Sequence, residues 1–457
     1  MATEAARTDV QAFIDRHPFS WMQWIVFVLC FATILLDGFD TAAIGYVAPS
    51  LLKEWNIAKP ALSPVLTSAL FGLVVGSLSS GMLADFLGRR TVLAAAATTM
   101  GVFCLLSSRA GSLDELIVLR FLTGLGLGAA MPNAITMMSE FCPSKRRALL
   151  TNGAFCGFPV GASLGGFLAA WMIPQWGWRS VLALGGTVPV ILAILVVLLM
   201  PESVYFLLNR GRDVRRVVDI LRRISPDAGR AGSFFLAERS RAFRGQRAVG
   251  VILSRHYLLG TVALWVTYFM GLVIFYGVIN WLPVLLKDIG IAPKQAIVIT
   301  ALFSLGGLGA LLSGWLMDRF HADLIVAALY GMTAIGIFAV STAIGSAVML
   351  PALILLAGGL MNTGQSSLGA LAARFYPTEG RATGVSWMTG VGRFGGIAGT
   401  FLVGSLQGYG ASLGTIMNVL AVAGLIAAAA LLLKHRVYAA ADADIAAVGA
   451  PGDSLSS

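Results

Sequence analysis

Long apolar stretches separated by short polar loops run from Trp24 to Lys434, and most are long enough to cross a bilayer as a helix. A chain in hydrocarbon must satisfy its own backbone hydrogen bonds, which restricts such stretches to helices. The expected class is an all-α polytopic membrane protein with twelve transmembrane helices. Their spans are about 24–47, 63–84, 91–108, 114–138, 148–172, 179–200, 257–280, 294–316, 324–345, 350–373, 382–406 and 412–434. Composition agrees. Hydrophobic residues are 57% and charged residues 12% of the chain, and the mean hydropathy is +0.83. A soluble domain carries about twice that charge. The net charge of +10 is spread over specific loops, so a nucleic-acid partner is not expected. The first twenty residues are polar, so the first span should act as its own insertion signal.

Lys and Arg sort the loops. Arg89, Arg90, Lys145, Arg146, Arg147, Arg319, Arg374 and Arg381 fall on one side, and segment 201–256 adds twelve arginines there. The other side carries only Lys53, Lys59, Arg109, Arg179, Lys287 and Lys294. Both termini are therefore expected in the cytoplasm. The organisation expected is a cytoplasmic segment 1–23, a six-helix bundle 24–200, a cytoplasmic linker 201–256, a second bundle 257–434 and a disordered tail 435–457. Anionic lipid is a natural contact for the linker's arginines. Cys30, Cys104, Cys142 and Cys156, and the scattered His17, His256, His321 and His435, have no metal-ligand spacing. No cofactor is expected, and the cysteines read as small core residues.

The first span contains Leu-Leu-Asp-Gly-Phe-Asp, Leu35 to Asp40. Two intramembrane carboxylates cost roughly 2.5–3.5 kcal/mol each to insert. Asp37 and Asp40 share one helix face, so that face should line protein or a watery cavity. Such acids mark ion or proton routes more often than simple assembly contacts. The two halves also repeat. GMLADFLGRR from Gly81 matches GWLMDRFH from Gly314, setting Asp85 against Asp318. EFCPSKRR from Glu140 matches RFYPTEGR from Arg374, setting Arg147 against Arg381. Two six-helix pseudo-repeats are a transporter plan, with the binding site between them.

These motifs resemble the major facilitator superfamily. The loop at Gly81, the stretch RFLTGLGLGAAMPN from Arg120 and PESVYFLL after the sixth span are similar to its landmarks. DGFDTAAIGYVAPSL, LWVTYFMGLVIFYGVINWLP and ARFYPTEGRATGVSWMTGVGRFGG are similar to the aromatic acid:proton symporters within it. The resemblance implies proton-driven, alternating-access import of small aromatic carboxylates, such as 4-hydroxybenzoate or protocatechuate, across a bacterial inner membrane. It implies a transporter and not an enzyme, expected as a monomer. A non-aromatic acid such as muconate, or export, stays open. GAFCGFPVGASLGG from Gly153 resembles a drug antiporter motif, and PESVYFLL also occurs in sugar porters. His321 does not fall where the family's loop histidine is expected, so no role attaches to it.

An aromatic carboxylate needs a cation or donors for its charge and apolar side chains for its ring. Two arginines lie within spans, Arg120 and Arg393, and a guanidinium meets a carboxylate two-pronged. Arg393 has no acid in its own span and is the expected anchor. Arg120 either joins it or neutralises Asp37 or Asp40. Asn133, Asn280, Asn362 and Gln365 are candidate polar partners. Phe39, Tyr268, Phe275, Tyr276 and Trp387 are candidate ring contacts, with plain packing the commoner role for each. Asp37, Asp40 and Arg120 are the expected proton-coupling set. In the superfamily, loop acids such as Asp85 and Asp318 latch onto helix starts in the opposite half, here near Arg381 and Arg147. Gly81, Arg89, Arg90 and Glu140 extend that gating set.

Overall fold

The computed structural model describes residues 7–210, 214–230, 233–235, 245–309, 316–317, 319–377 and 380–448. Asp318, and the tail beyond Val448, lie outside them. Seventeen described helices and one two-stranded sheet make up the fold. In order they are α1 Val10–Arg16, α2 Trp21–Trp55, α3 Leu62–Leu87, α4 Arg89–Ser107, α5 Leu113–Phe141 and α6 Arg147–Phe155. Next come α7 Gly157–Trp176, α8 Trp178–Leu199, α9 Val204–Asn209, α10 Val214–Arg222, α11 Gly245–Ile252 and α12 Leu258–Asp288. The last are α13 Pro293–Leu305, α14 Ala322–Thr342, α15 Met349–Phe375, α16 Arg381–Gly408 and α17 Leu413–Val448. Eight are long and apolar enough to cross a membrane, and α5, α15 and α16 are as long but carry more polar residues. Each expected span falls on a helix. The eighth is described only to Gly309.

Local chemistry sets the helix ends. Ser20 and Gln23 cap each other's backbone at the start of α2. Gly88 separates α3 from α4 at φ +96°, a conformation other residues resist. The fifth expected span divides at Cys156 into α6 and α7. Pro159 has no N–H for the carbonyl of Phe155, which breaks the ladder there.

Contacts gather the chain into two compact units. The first is Met1–Phe243, Tyr276–Leu305 and Ile397–Leu413, and the second is Arg244–Phe275, Gly306–Gly396 and Gly414–Ser457. The division cuts through α12 and α16 and so does not follow the repeat. Close packing gives the reason. A Cβ on Gly45 would strike the Ile279 carbonyl, and one on Gly404 would strike Ser63 Oγ. In the same unit, Gly72 and Gly76 of α3 interlock with Gly124 and Gly128 of α5. A Cβ on any of the four would collide with the opposite backbone.

The segment before the first span is built into the first unit. Strands β1 (Arg7–Asp9) and β2 (Ser233–Phe235) pair in parallel. Helix α1 follows, capped by Asp9 Oδ2, which accepts from Ala12 N at 3.1 Å. Phe13 packs edge-on against Phe234, and His17 Nε2 lies 3.5 Å from Asp227 Oδ2. In the second unit, α17 runs on to Val448, so residues 435–448 of the expected disordered tail are helical. The alanine-rich stretch favours helix. Tyr438 OH, donating to the His256 carbonyl at 2.5 Å, anchors it.

Candidate functional site

Asp37 and Asp40 are both buried on α2, at 2% and 0% exposure. Arg120, on α5, reaches across to Asp40. Its Nη1 donates to Oδ1 at 3.0 Å and its Nη2 to Oδ2 at 2.8 Å. The pair is thus two-pronged and fully enclosed, the geometry in which guanidinium and carboxylate bind most strongly. Nη2 also approaches the Asp40 carbonyl at 3.4 Å, while Arg120 Nε has no hydrogen-bond acceptor. Cys104 of α4 adds a third donor, its Sγ 3.0 Å from Asp40 Oδ1. Asp37 accepts from Thr41 Oγ1 at 3.5 Å. The sequence left Arg120 between substrate and the acids, and in this conformation it is bound to Asp40.

A small cavity of about 10 Å³ adjoins the pair, lined in part by Thr41, Ile44, Leu70, Arg120, Tyr276 and Asn280. That is room for about one water molecule, so in this conformation it is not a substrate-sized pocket. Asn280 Nδ2 donates to Thr400 Oγ1 at 3.0 Å. Its Oδ1 is buried and meets no donor among the described residues. An unsatisfied buried oxygen is costly, and a ligand hydroxyl or a water would relieve it. Asn133 does not join this group, because its Nδ2 turns to the Ala129 carbonyl of its own helix at 2.7 Å.

The second unit holds a separate polar cluster. Tyr330 OH donates to Gln365 Oε1 at 2.6 Å, and Gln365 Nε2 donates to the Tyr268 carbonyl at 3.5 Å. Gly271 makes room for this amide, since a Cβ there would overlap Gln365 Oε1. Arg393 is half-buried on α16 and acts electrostatically on Tyr268. Trp387 stacks on Trp265 with centroids 5.8 Å apart, and the buried Trp265 Nε1 has no acceptor. Tyr268, Gln365 and Arg393 are therefore brought together, with Trp387 on the same helix as Arg393.

The gating set is partly assembled in the first unit. Arg89 Nε lies 2.7 Å from Glu140 Oε1. The N–H is not aimed along that line, so the contact is an ion pair and not a hydrogen bond. Asp85 is 76% exposed and 3.9 Å from Arg89 Nη1. Arg90 N donates to Glu202 Oε1 at 3.0 Å, and Ser203 Oγ donates to Glu140 Oε2. Gly81 is not forced by packing, since a Cβ there would meet nothing within 4 Å. Arg147 Nη2 donates to Gln11 Oε1 at 2.6 Å. Arg381 is exposed at the start of α16. Cys104, Thr400, Tyr330, Gln11 and Ser203 are participants to which the sequence assigned no role. Only Ser203 lies in a marked motif, PESVYFLL, and the fold brings each to its partner.

Glu140 lies just past the fourth span, 114–138. Burial, opposed by Arg89, pushes its carboxyl up to about 7. An acid raised on folding stabilises the protein most below its ordinary value of 4.5, and that contribution is lost as pH climbs to about 7. Thermal unfolding of the purified protein between pH 4.5 and 8 should show this decline. Glu140→Gln should flatten it by about 3 kcal/mol across the window. An unchanged slope in the Gln variant would remove Glu140 as its source.

Helices of membrane-spanning length that enclose an Asp–Arg pair suit a membrane transporter, and relatives named as transporters set the class as transporter rather than enzyme. The chain belongs to the Major Facilitator Superfamily, whose model matches residues 29–400. It is 45% identical to the 4-hydroxybenzoate transporter PcaK of Pseudomonas aeruginosa, covering 94% of this chain and 96% of that one. It is 39% identical to a gallate transporter of Pseudomonas putida, covering 93% and 95%. Among solved structures it is similar to the partially occluded inward-open xylose transporter XylE from E. coli. The TM-score is 0.69 and the identity 18%, over 91% of this chain and 98% of that one. Similarity at that identity speaks to the fold alone.

Proposed function

We propose that the protein imports small aromatic carboxylates of the 4-hydroxybenzoate type with protons, by alternating access. The observation that carries the substrate class is the end-to-end similarity to relatives named as 4-hydroxybenzoate and gallate transporters. Proton coupling rests on the two buried carboxylates of α2, one of them held by Arg120. Arg393, with Tyr268 and Gln365, is the proposed anchor for the substrate carboxylate; Asn280, in the first unit, is proposed to bond a hydroxyl or a water by its Oδ1. The Arg89–Glu140 pair, with Asp85, Arg90, Arg147 and Arg381, is the proposed gate. A bacterial inner membrane is proposed from the bacterial relatives, both termini are proposed in the cytoplasm on the strength of the arginine-rich loops, and a monomer is proposed.

The test is uptake into proteoliposomes under an imposed pH gradient. The panel is labelled 4-hydroxybenzoate, protocatechuate, benzoate, muconate and a sugar. Hydroxylated benzoates should accumulate, and a protonophore should collapse the accumulation. Preferential uptake of muconate would favour the non-aromatic reading, and uptake indifferent to protonophore would remove the coupling.

Arg393→Lys should weaken equilibrium binding of 4-hydroxybenzoate by about tenfold, because an ammonium cannot supply the planar fork. Binding by isothermal calorimetry in detergent measures it. Unchanged affinity would leave Arg393 a general electrostatic or structural role.

A further inference from the structure

The first unit has a second concave feature, at the ends of its spanning helices where the linker begins. It is a groove of about 550 Å³, open to solvent. Its walls are the first turn of α4 with Arg90, the end of α8 with Leu198 and Met200 just beyond it, and α10 with Arg216 and, in the turn after the helix, Arg223. Helix α10 is positioned by Val217 and Leu221, both at 0% exposure in the core. Arg216 and Arg223 both line the groove with Arg90.

Two carboxylates also line it, Glu202 and Asp219. Glu202 Oε1 is engaged by Arg90 N at 3.0 Å and Ser203 N at 2.8 Å. Asp219 lies 3.7 Å from Nη1 of Arg222, which is not among the lining residues. Arg90 Nη2 donates to the Val197 carbonyl, so Arg216 and Arg223, both exposed, are the guanidinium groups the groove offers a ligand, with one carboxylate committed to the backbone and the other beside a fourth arginine.

The rim decides the ligand. Leu87 and Leu198 line the groove and are 54% and 71% exposed, with Phe86 and Leu199 beside them at 69% and 44%. They belong to α3 and α8, helices apolar enough to cross a membrane. Exposed apolar side chains at the ends of such helices suit the acyl region just below a headgroup. A soluble anion gains nothing from such a rim. A phospholipid matches both parts, with its phosphate at the arginines and its acyl chains along the leucines. We propose that this groove binds the headgroup of an anionic phospholipid between α4 and α10. Clustered arginines beside a membrane surface attract anionic lipid, and guanidinium forks suit phosphate oxygens. The proposal rests on the membrane fold and is independent of the substrate transported.

The experiment is native mass spectrometry of the full chain in detergent, titrated separately with phosphatidylglycerol, phosphatidylcholine and inorganic phosphate. Phosphatidylglycerol should bind at least tenfold more tightly than phosphatidylcholine, and inorganic phosphate should not displace it at equal concentration. Arg216→Ala with Arg223→Ala should weaken phosphatidylglycerol binding about tenfold or more. Both residues are exposed, so the fold should hold, and the matching Lys double variant should recover part of the affinity. Equal binding of the two lipids, displacement by inorganic phosphate, or an Ala double variant that binds like wild type would each overturn the proposal.

Discussion

Arg120→Ala is expected to abolish uptake and to destabilise the purified protein by about 3–5 kcal/mol. The cause is the partner left behind. Asp40 is 0% exposed and takes both of its guanidinium hydrogen bonds from Arg120. Without them it is a buried carboxylate with the Cys104 thiol as a weak donor. Arg120→Lys should lose less, because it keeps the charge but not the fork. The informative variant is Asp40→Leu with Arg120→Met. Replacing a buried pair by apolar groups of similar size is often neutral for stability. Thermal unfolding should therefore return towards wild type while uptake stays absent. A double variant that transports like wild type would show that the pair serves only assembly.

Asp37→Asn should uncouple the carrier. Arg120 binds Asp40 two-pronged in this conformation, so we infer that Asp37 is the carboxylate that loads the proton. Asn mimics the protonated acid permanently. The variant should exchange 4-hydroxybenzoate in counterflow at a rate near wild type, yet fail to concentrate it when only a pH gradient is imposed. Asp40→Asn should lose both activities, because it also strands Arg120. Proteoliposome counterflow beside pH-driven uptake reads the two quantities in one preparation. Uphill accumulation by Asp37→Asn would sink the assignment. Charge sets the remaining expectation. One proton with a monoanion is electroneutral, whereas a second would add about 2.3 kcal/mol of drive per 100 mV. Uptake under a potassium diffusion potential distinguishes them.

The groove at Arg90, Arg216 and Arg223 touches the same turn as the gate, because Arg89 and Arg90 are adjacent. Glu202 caps that turn, and Ser203 bonds Glu140. Lipid composition is therefore a variable to hold constant when the gate variants are assayed.

The sequence alone determined the helical membrane class, the order and approximate limits of the spans, and the presence of charged residues within spans at Asp37, Asp40, Arg120 and Arg393. Those features are local. Span length against bilayer thickness, and the cost of an ion in hydrocarbon, are read from consecutive residues. The internal repeat was legible for the same reason, since motifs survive as runs. Pairing was not legible. That Arg120 chooses Asp40, one turn from Asp37, depends on how α5 lies against α2. That Cys104 and Thr400 become donors and acceptors depends on neighbours 64 and 120 residues away. The folding of the first residues onto the linker, through β1 and β2, joins segments more than 220 residues apart. The helix continuing to Val448 was hidden by a composition that also suits a flexible tail. Such choices are made by packing, where glycines such as Gly45, Gly124 and Gly404 let backbones meet, and only the tertiary structure decides them.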